Sequence, residues 1–153
     1  MKNYELLPGL FLDVTASGRS LIATHITATP REQPLPASLD RAVARFIDRW
    51  RRGIPEPLDD ELFLFPAALI KWTPLLLRLK NDVAPGMTVT YGELGSPLAI
   101  HPRTVGMVMA RNPFPLLIPC HRVLGADGRL TGFSAEGGVD TKRRLLDFEN
   151  GAR

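Results

Sequence analysis

The sequence predicts an α+β protein in which a small N-terminal sheet with one helix precedes a helical C-terminal part. Three observations predict this class. Two apolar segments separated by a turn stand near the start of the chain, an amphipathic helical pattern follows, and two short helices with separate start signals lie further on. At 153 residues the chain is long enough to bury a sizeable core.

The first 52 residues contain the signals of a strand pair and of one helix. Leu10–Val14 and Leu21–Ile26 flank the turn-forming sequence Ser17–Ser20, which predicts two strands joined by a tight turn. After a proline-rich connector, Ser38 is predicted to cap a helix over Leu39–Arg51, because its apolar side chains recur every three or four residues. The arginines off this apolar stripe, which we interpret as a solvated face, are Arg41, Arg45, Arg49 and Arg52.

A helix-breaking segment, Gly53–Pro57, separates the two parts of the chain. We place the domain division between this segment and Trp72, which predicts domains of residues 1–70 and 71–153. The C-terminal domain is predicted to open with a leucine-rich helix that begins at Thr73.

Composition excludes several classes of protein. A single cysteine, Cys120, rules out an internal disulfide and a multi-cysteine zinc site, and the three histidines lack metal-ligand spacing, so we expect no metal ion and no cofactor. No apolar run reaches the roughly 18 residues that span a bilayer. Because Met1–Leu10 also lacks the order of a signal peptide, we expect a cytoplasmic protein without membrane association. The net charge of +3 arises in residues 78–153, a mild indication of an anionic partner.

Two consecutive helix start signals predict a helix-turn-helix. Thr90 and Glu93 have the spacing of a capping box, so a short helix is expected to start at Tyr91. Pro102 suits the first position of a second helix, where its missing N–H has no cost, and that helix is expected to end near Arg111.

One side of this second helix carries small side chains and a single cation. Arg103, Gly106 and Ala110 share that side with Met107. Such a face can lie close against a nucleic-acid groove while the arginine enters the base stack. The alternative is that the small residues allow close packing against another helix, and the helix by itself favours neither interpretation. The side chains spaced to pack inward are Val105, Val108 and Met109.

Cys120 lies in a proline-rich segment and precedes His121 and Arg122. A thiol nucleophile reacts as thiolate, and a neighbouring imidazole or cation favours that form. Consecutive side chains of a strand point to opposite faces, so Cys120 and His121 need a bend or a bridging water to communicate, and the prolines make a bend plausible. For a Cys-His dipeptide alone, a buried unreactive thiol remains the alternative.

With this segment the sequence resembles the O6-alkylguanine-DNA alkyltransferases, also called methylated-DNA–protein-cysteine S-methyltransferases. Their active-site signature Pro-Cys-His-Arg-Val is intact as Pro119–Val123, and the resemblance covers about residues 85–149. It implies a ribonuclease H-like N-terminal domain and a winged-helix-like C-terminal domain. The further motifs that carry it are Thr88–Leu94, Pro102–Gly106, Arg111–Pro113, Gly132–Ser134 and Lys142–Leu146.

The resemblance implies repair of DNA by direct reversal. Family members flip O6-alkylguanine out of the duplex and transfer its alkyl group irreversibly to the cysteine, here Cys120, so each molecule reacts once. His121 would take the thiol proton through a water, and Glu149 would orient His121. Tyr91 would crowd the adjacent phosphate and protonate guanine N3. Because Glu149 ends a predicted helix, where the dipole disfavours an anion, it needs a compensating partner unless it is simply exposed to solvent.

The resemblance also implies the DNA-binding residues and the substrate pocket. Arg103 would fill the vacated place in the base stack, and the helix face with Gly106 and Ala110 would enter the minor groove. The partner implied is DNA that contains O6-alkylguanine, with O4-alkylthymine left open, and a monomer is the family's usual state. The pocket residues implied are Asn112, which ties helix to active-site strand, Val123, whose carbonyl accepts from the base, Ser134, whose amide donates to O6, and Pro115 and Phe133, which line the base.

Departures from the family pattern leave an alternative function. The loop Ser134–Gly138 is longer than the common form, and Phe148 stands where many members have histidine. The alternative is an alkyltransferase-like protein that recognises damage without transfer, but such relatives replace the cysteine, and Cys120 argues against this. A cysteine hydrolase, the third interpretation, fits the helix-turn-helix poorly.

Overall fold

A computed structural model describes residues 3–32 and 34–151, in which a small sheet and one helix pack against a helical C-terminal part. The α+β class is therefore confirmed. The predicted domains also include residues 1, 2, 33, 152 and 153, which lie outside the described residues. The N-terminal elements are β1 (Tyr4–Leu7), β2 (Leu10–Ser17), β3 (Ser20–Thr27) and α1 (Ala37–Arg51).

The N-terminal sheet is antiparallel, with the strand order β1–β2–β3. The predicted strand pair and its turn are confirmed, and Gly18 in the turn has a φ of 58°, which glycine adopts without strain. Strand β1 was not predicted, because its four residues are too few to show the alternation of apolar and polar side chains that marks a strand. Alternate residues of β2, Leu10, Leu12 and Val14, are buried and form one wall of the core.

Helix α1 has the predicted apolar stripe but a different start. Its N-cap is Pro36 in an extended conformation, without a side-chain cap, so the prediction that Ser38 caps the helix is wrong. The helix begins at Ala37, two residues before the predicted start at Leu39, because the φ of Pro36 already suits the chain entering a helix. The arginine face is engaged in ion pairs at the surface: Arg45 and Arg49 with Glu56, and Arg52 with Asp48.

The C-terminal part contains the remaining helices and a two-stranded parallel sheet. Strand β4 pairs with β5, and Val89 lies opposite Val123, so the start of the helix-turn-helix is joined to the segment that follows Cys120. Short 3-10 helices connect several elements, at Asp60–Leu62, Ala67–Trp72, Ser96–Leu98 and Cys120–Arg122. The elements are α2 (Thr73–Asp82), β4 (Val89–Thr90), α3 (Tyr91–Gly95), α4 (Pro102–Ala110), β5 (Val123–Leu124) and α5 (Gly138–Glu149).

The predicted helix-turn-helix is formed by α3 and α4. The capping box is present, with the Glu93 amide donating to Thr90 Oγ1 and the Thr90 amide donating to the Glu93 carboxylate. Pro102 occupies the first turn of α4, and the ring of His101 accepts from the Arg103 amide. The helix faces are as predicted, with the inward residues buried and Arg103 exposed.

Both halves of the chain contribute to one hydrophobic core. The backbone of Thr24 in β3 donates to Pro113 O at 2.8 Å, and its hydroxyl donates to Pro115 O at the same distance. The N-terminal sheet therefore supports the segment that leads to Cys120. The division at residue 70 stays a prediction.

None of the helices in residues 3–32 and 34–151 combines the length and the hydrophobicity needed to cross a membrane.

Candidate functional site

The chain bends sharply on either side of Cys120. Leu116 has a φ of 72°, in the left-handed region that L-residues seldom adopt, and the Ile118 amide donates to Phe114 O across this turn. The Asn112 side chain holds the turn from within, because its Nδ2 donates to Ile118 O at 2.9 Å and its Oδ1 accepts from the Phe114 amide at 3.0 Å. Cys120 then starts a 3-10 turn, which is the bend expected between the cysteine and His121.

Cys120 presents only 5% of its surface to solvent. Burial raises the pKa of its thiol, while a hydrogen bond from Asn112, the charge of Lys142 and the local backbone act in the opposite direction. The net effect keeps the resting thiol protonated. Such a thiol needs a base before it can attack a carbon.

The two residues that follow Cys120, His121 and Arg122, form a buried cluster with Glu149. His121 Nε2 lies 3.0 Å from each oxygen of the Glu149 carboxylate. Arg122 donates to the same carboxylate from Nε at 3.0 Å and from Nη2 at 2.6 Å, and its Nη1 donates to Val83 O at 2.7 Å. The side chain of Glu149 is 1% exposed, which excludes the interpretation that it is a solvent-exposed helix end. Arg122 supplies the compensating charge that the helix C-terminus requires.

The protonation states of His121 and Glu149 follow from this environment. Burial lowers the pKa of His121, and repulsion by Arg122 and Lys142 reinforces it against the attraction of Glu149, so the imidazole is neutral near pH 7. Burial opposes ionisation of Glu149, yet His121 and Arg122 hold the pKa of its carboxyl below the ordinary value, and Arg122 is always charged. The buried Nδ1 of His121 makes no hydrogen bond within the described part of the chain. With Nε2 committed to Glu149, Nδ1 is the position that can accept a proton.

A pocket of about 340 Å³ opens next to Cys120. Its walls come from the helix-turn-helix on one side and from the loop before α5 on the other. Six of the predicted site residues meet there, and the volume is in the range of small-ligand sites. The lining residues are Tyr91, Gly106, Met109, Ala110, Cys120, Gly132, Phe133 and Ser134.

Other predicted pocket residues lie outside this pocket. Asn112 and Pro115 line an adjoining groove of about 840 Å³ between the N-terminal sheet and the loop, and Ser134 lines both cavities. Pro115 therefore lines the groove next to the pocket that contains Phe133, and its predicted contact with the base stays a prediction. Val123 is fully buried, and its carbonyl accepts from Lys142 Nζ at 2.9 Å. Arg103 is exposed at the start of α4 and does not line the pocket.

Four residues around the site were not predicted from the sequence. Arg122 could have been assigned to Glu149, because it belongs to the signature segment and Glu149 needed a cation. The burial of Lys142 left no sequence signal. The contact of Thr131 with the Tyr91 hydroxyl also has no sequence signal. The same holds for the hydrogen bond from Trp50 to Glu149, because the two residues are 99 positions apart.

The described residues contain no group of three or more histidine, cysteine, aspartate or glutamate side chains that could hold a metal ion.

Residues 76–151 match the model of the 6-O-methylguanine DNA methyltransferase DNA-binding domain. A methylated-DNA–protein-cysteine methyltransferase of Methanopyrus kandleri is 38% identical over 110 residues, which cover 71% of this chain and 79% of that protein. A DNA base-flipping protein of Thermus thermophilus is 52% identical over 80 residues, covering 50% of this chain and 53% of its own length. The crystal structure of Mycobacterium tuberculosis OGT in complex with DNA shares the fold, with a TM-score of 0.69, 24% identity, and coverage of 92% of this chain and 86% of that one.

Fold and site together define a helix-turn-helix protein in which a cysteine on the wall of a pocket is followed in the sequence by a buried histidine that contacts a buried glutamate. The likeness to the Methanopyrus kandleri relative extends over most of both chains, and the matched domain contains the whole of the pocket described above. The chain belongs to the 6-O-methylguanine DNA methyltransferase family.

Proposed function

We propose that this protein repairs DNA by moving the alkyl group of O6-alkylguanine to Cys120 in a single irreversible reaction. The observation that carries the proposal is the 340 Å³ pocket, because Cys120 lies in its wall and the next residue, His121, is hydrogen-bonded to Glu149. The names of the relatives, methylated-DNA–protein-cysteine methyltransferases, support the same activity.

The partner is DNA, bound through α4. The exposed face of this helix carries Arg103 and Ala110, with Gly106 between them, and it borders the mouth of the pocket. A helix face with such small side chains can approach the floor of the minor groove, and Arg103 can occupy the place of the extruded base. Extrusion is required because a base inside the duplex cannot be reached by a thiol in a pocket.

The residues around the pocket have complementary roles in the transfer. His121 Nδ1 takes the proton of the Cys120 thiol through a water, and Glu149 stabilises the imidazolium that forms. The sulfur then forms a bond to the alkyl carbon while the bond from that carbon to O6 breaks, and its electron pair stays on the guanine. Tyr91 and Ser134 line the pocket, and in this proposal the Tyr91 hydroxyl supplies a proton and the Ser134 amide a hydrogen bond to the leaving group.

The product is a thioether, from which no group in the site can remove the alkyl chain. Each molecule therefore reacts once. We further propose that it acts as a monomer in the cytoplasm, which size-exclusion chromatography with light scattering and cell fractionation will test.

The test is intact-protein mass spectrometry after incubation with duplex DNA containing O6-methylguanine. We expect the mass to rise by one CH₂ unit, peptide mapping to assign the methyl group to Cys120, and Cys120→Ala to gain nothing. A duplex with O4-methylthymine, run in parallel, tests whether thymine is also a substrate. No mass change in the wild-type protein would contradict transfer.

The second candidate is a base-flipping protein that binds damage without transfer, favoured by the match to the Thermus thermophilus protein. It predicts that O6-methylguanine DNA binds more tightly than undamaged DNA while Cys120 stays unmodified. Because Cys120 is present and adjoins His121, the transfer proposal is the better supported of the two.

A further inference from the structure

Trp50 of α1 contacts the site from the other half of the chain. Its indole Nε1 donates to Glu149 Oε2 at 2.7 Å. Trp50 is 1% exposed, and Phe148 packs on it with ring centroids 4.8 Å apart, which fixes the plane of the indole. A short hydrogen bond between an immobile donor and a buried carboxylate has little freedom to reorient.

The other donors to the carboxylate do not fix its position in the same way. His121 and Arg122 are neighbours in one 3-10 turn, so both approach Glu149 from the same segment. The attraction of Arg122 is the strongest in the group because guanidinium is always charged, and by itself it would draw the carboxylate away from the neutral imidazole. A donor from a separate, rigid helix opposes that movement.

We infer that Trp50 is a positioning residue for alkyl transfer: its indole N–H holds the Glu149 carboxylate against His121 Nε2, so that the N-terminal half takes part in the chemistry. The inference rests on the proposed function, in which Glu149 assists His121. It assigns a role in the reaction to helix α1 of the N-terminal half.

Loss of the N–H has a defined electrostatic consequence. Without the hydrogen bond from Trp50, the carboxylate can move toward Arg122 and away from His121 Nε2, so Glu149 stabilises a proton on His121 less strongly. The cations that also act on His121, Arg122 and Lys142, are unchanged by this removal. The pKa of His121 then falls further, and the less basic imidazole takes the thiol proton more slowly.

The test replaces Trp50 by 3-benzothienylalanine, which keeps the bicyclic shape and puts sulfur in place of the N–H. Single-turnover methylation of Cys120 at saturating O6-methylguanine DNA is measured across pH. We expect the midpoint of the rate–pH profile to move to lower pH and the rate at neutral pH to fall roughly tenfold, the effect of one hydrogen bond to a charged group. The Kd for DNA should not change, because Trp50 does not line the pocket beside α4.

Trp72 provides the matched control, since it is the only other tryptophan of the chain. Its ring lies under Lys71 Nζ, and the same replacement there should leave both profile and rate unaltered. Thermal melting of both proteins separates a folding defect from a change in chemistry.

The outcomes distinguish the inference from the function on which it rests. If Glu149→Gln slows methylation but the benzothienyl protein retains the wild-type rate and pH midpoint, Trp50 has no positioning role and the proposed function stands. If the unsubstituted protein does not methylate Cys120 at all, the proposed function and this inference fall together.

Discussion

The buried carboxylate of Glu149 accepts hydrogen bonds from two residues that are distant from it in the sequence, Trp50 and Arg122. Taking a carboxylate out of water is costly, and it is tolerated only where charge and hydrogen bonds replace the solvent. Arg122 supplies the charge, and Trp50 and His121 add hydrogen bonds. The arrangement leaves His121 neutral beside a protonated thiol, which is the combination that general-base activation of Cys120 needs.

Glu149→Gln should damage both stability and chemistry. The amide leaves Arg122 buried without a counter-charge, and breaking a buried ion pair in this way typically costs about 3–5 kcal/mol. We expect the free energy of unfolding in urea to fall by roughly that amount, and single-turnover methylation to slow. Asp147→Asn removes an exposed carboxylate from the same helix and serves as the control. Wild-type stability in Glu149→Gln would show that the pair contributes nothing net.

Arg103→Ala should affect transfer from duplex DNA and spare transfer from the free base. If Arg103 fills the vacated place in the stack, its loss weakens extrusion only, and the rate from duplex should fall roughly ten- to hundredfold, as expected for an unstacking cost of a few kcal/mol. Methylation of Cys120 by free O6-methylguanine is the paired measurement. Arg143→Ala, an exposed arginine on α5, should match the wild type. Equal slowing on both substrates would mean that Arg103 acts within the pocket.

Among the elements, the helix-turn-helix depends on a close approach between α3 and the turn that follows it. A Cβ on Gly95 would lie 2.5 Å from Ile100 O and 2.6 Å from Val105 Cγ2, both shorter than real contacts. Because one neighbour is backbone and the other is fully buried, neither can move at low cost.

Gly95→Ala should therefore destabilise the protein by roughly 1–3 kcal/mol, the usual cost of overpacking. Gly106→Ala is the matched control in the next helix. A Cβ on Gly106 meets only the Tyr91 ring, at 4.0 Å, so the gain in helix propensity should raise stability slightly. Thermal melting of both variants tests the pair, and the same sign of change in both would contradict the packing argument.

The long loop before α5 is anchored to the N-terminal sheet. Glu136 Oε2 accepts from Thr27 Oγ1 at 2.8 Å and from the Ala28 amide at 3.0 Å, and the hydrogen bond from Thr27 holds the pKa of its carboxyl below the ordinary value. The pocket residues Phe133 and Ser134 precede this anchor directly.

Glu136→Ala should loosen the loop, because it removes both acceptor contacts. We expect faster amide hydrogen exchange at residues 133–137 and a weaker Kd for O6-methylguanine DNA. Glu136→Gln retains an acceptor oxygen and should stay close to the wild type, and Asp140→Ala controls for the loss of one negative charge nearby. Unchanged exchange in Glu136→Ala would show that packing alone orders the loop.

At the scale of the whole molecule, both halves build the candidate site. The N-terminal part contributes hydrogen bonds from Trp50 to Glu149, from Thr24 to the backbone before Cys120 and from Thr27 to the loop anchor. One core links the two parts, so the stability of the site and of the fold should respond to pH together.

Acidification should unfold the protein through this site. The pKa of His121 is lowered from 6.5 and that of Glu149 from 4.5, so the unfolded chain binds protons more readily than the folded one at both groups. The stability tied to His121 is lost as pH falls below 6.5, and that tied to Glu149 as it falls below 4.5. Urea midpoints measured from neutral pH downward test this, and His121→Gln should remove the first phase. Stability that rises on acidification would contradict it.

Local signals in the sequence predicted the elements and the motifs of this protein. The capping box at Thr90, the proline that opens α4 and the inward stripe of α1 were predicted and are present, because each depends on residues a few positions apart. The start of α1 and the short strand β1 were not, since the cap at Ser38 competed with Pro36 and four residues show no period.

By itself the sequence determined the α+β class, the helix-turn-helix and the family, because these depend on short-range patterns and on one intact signature around Cys120. Only the tertiary structure decided that Trp50 donates to Glu149 and that Thr27 and Ala28 bind Glu136, contacts that join the two halves. The physical reason is that these contacts connect residues about 100 positions apart, where burial and packing of the whole chain bring together side chains whose local patterns are independent.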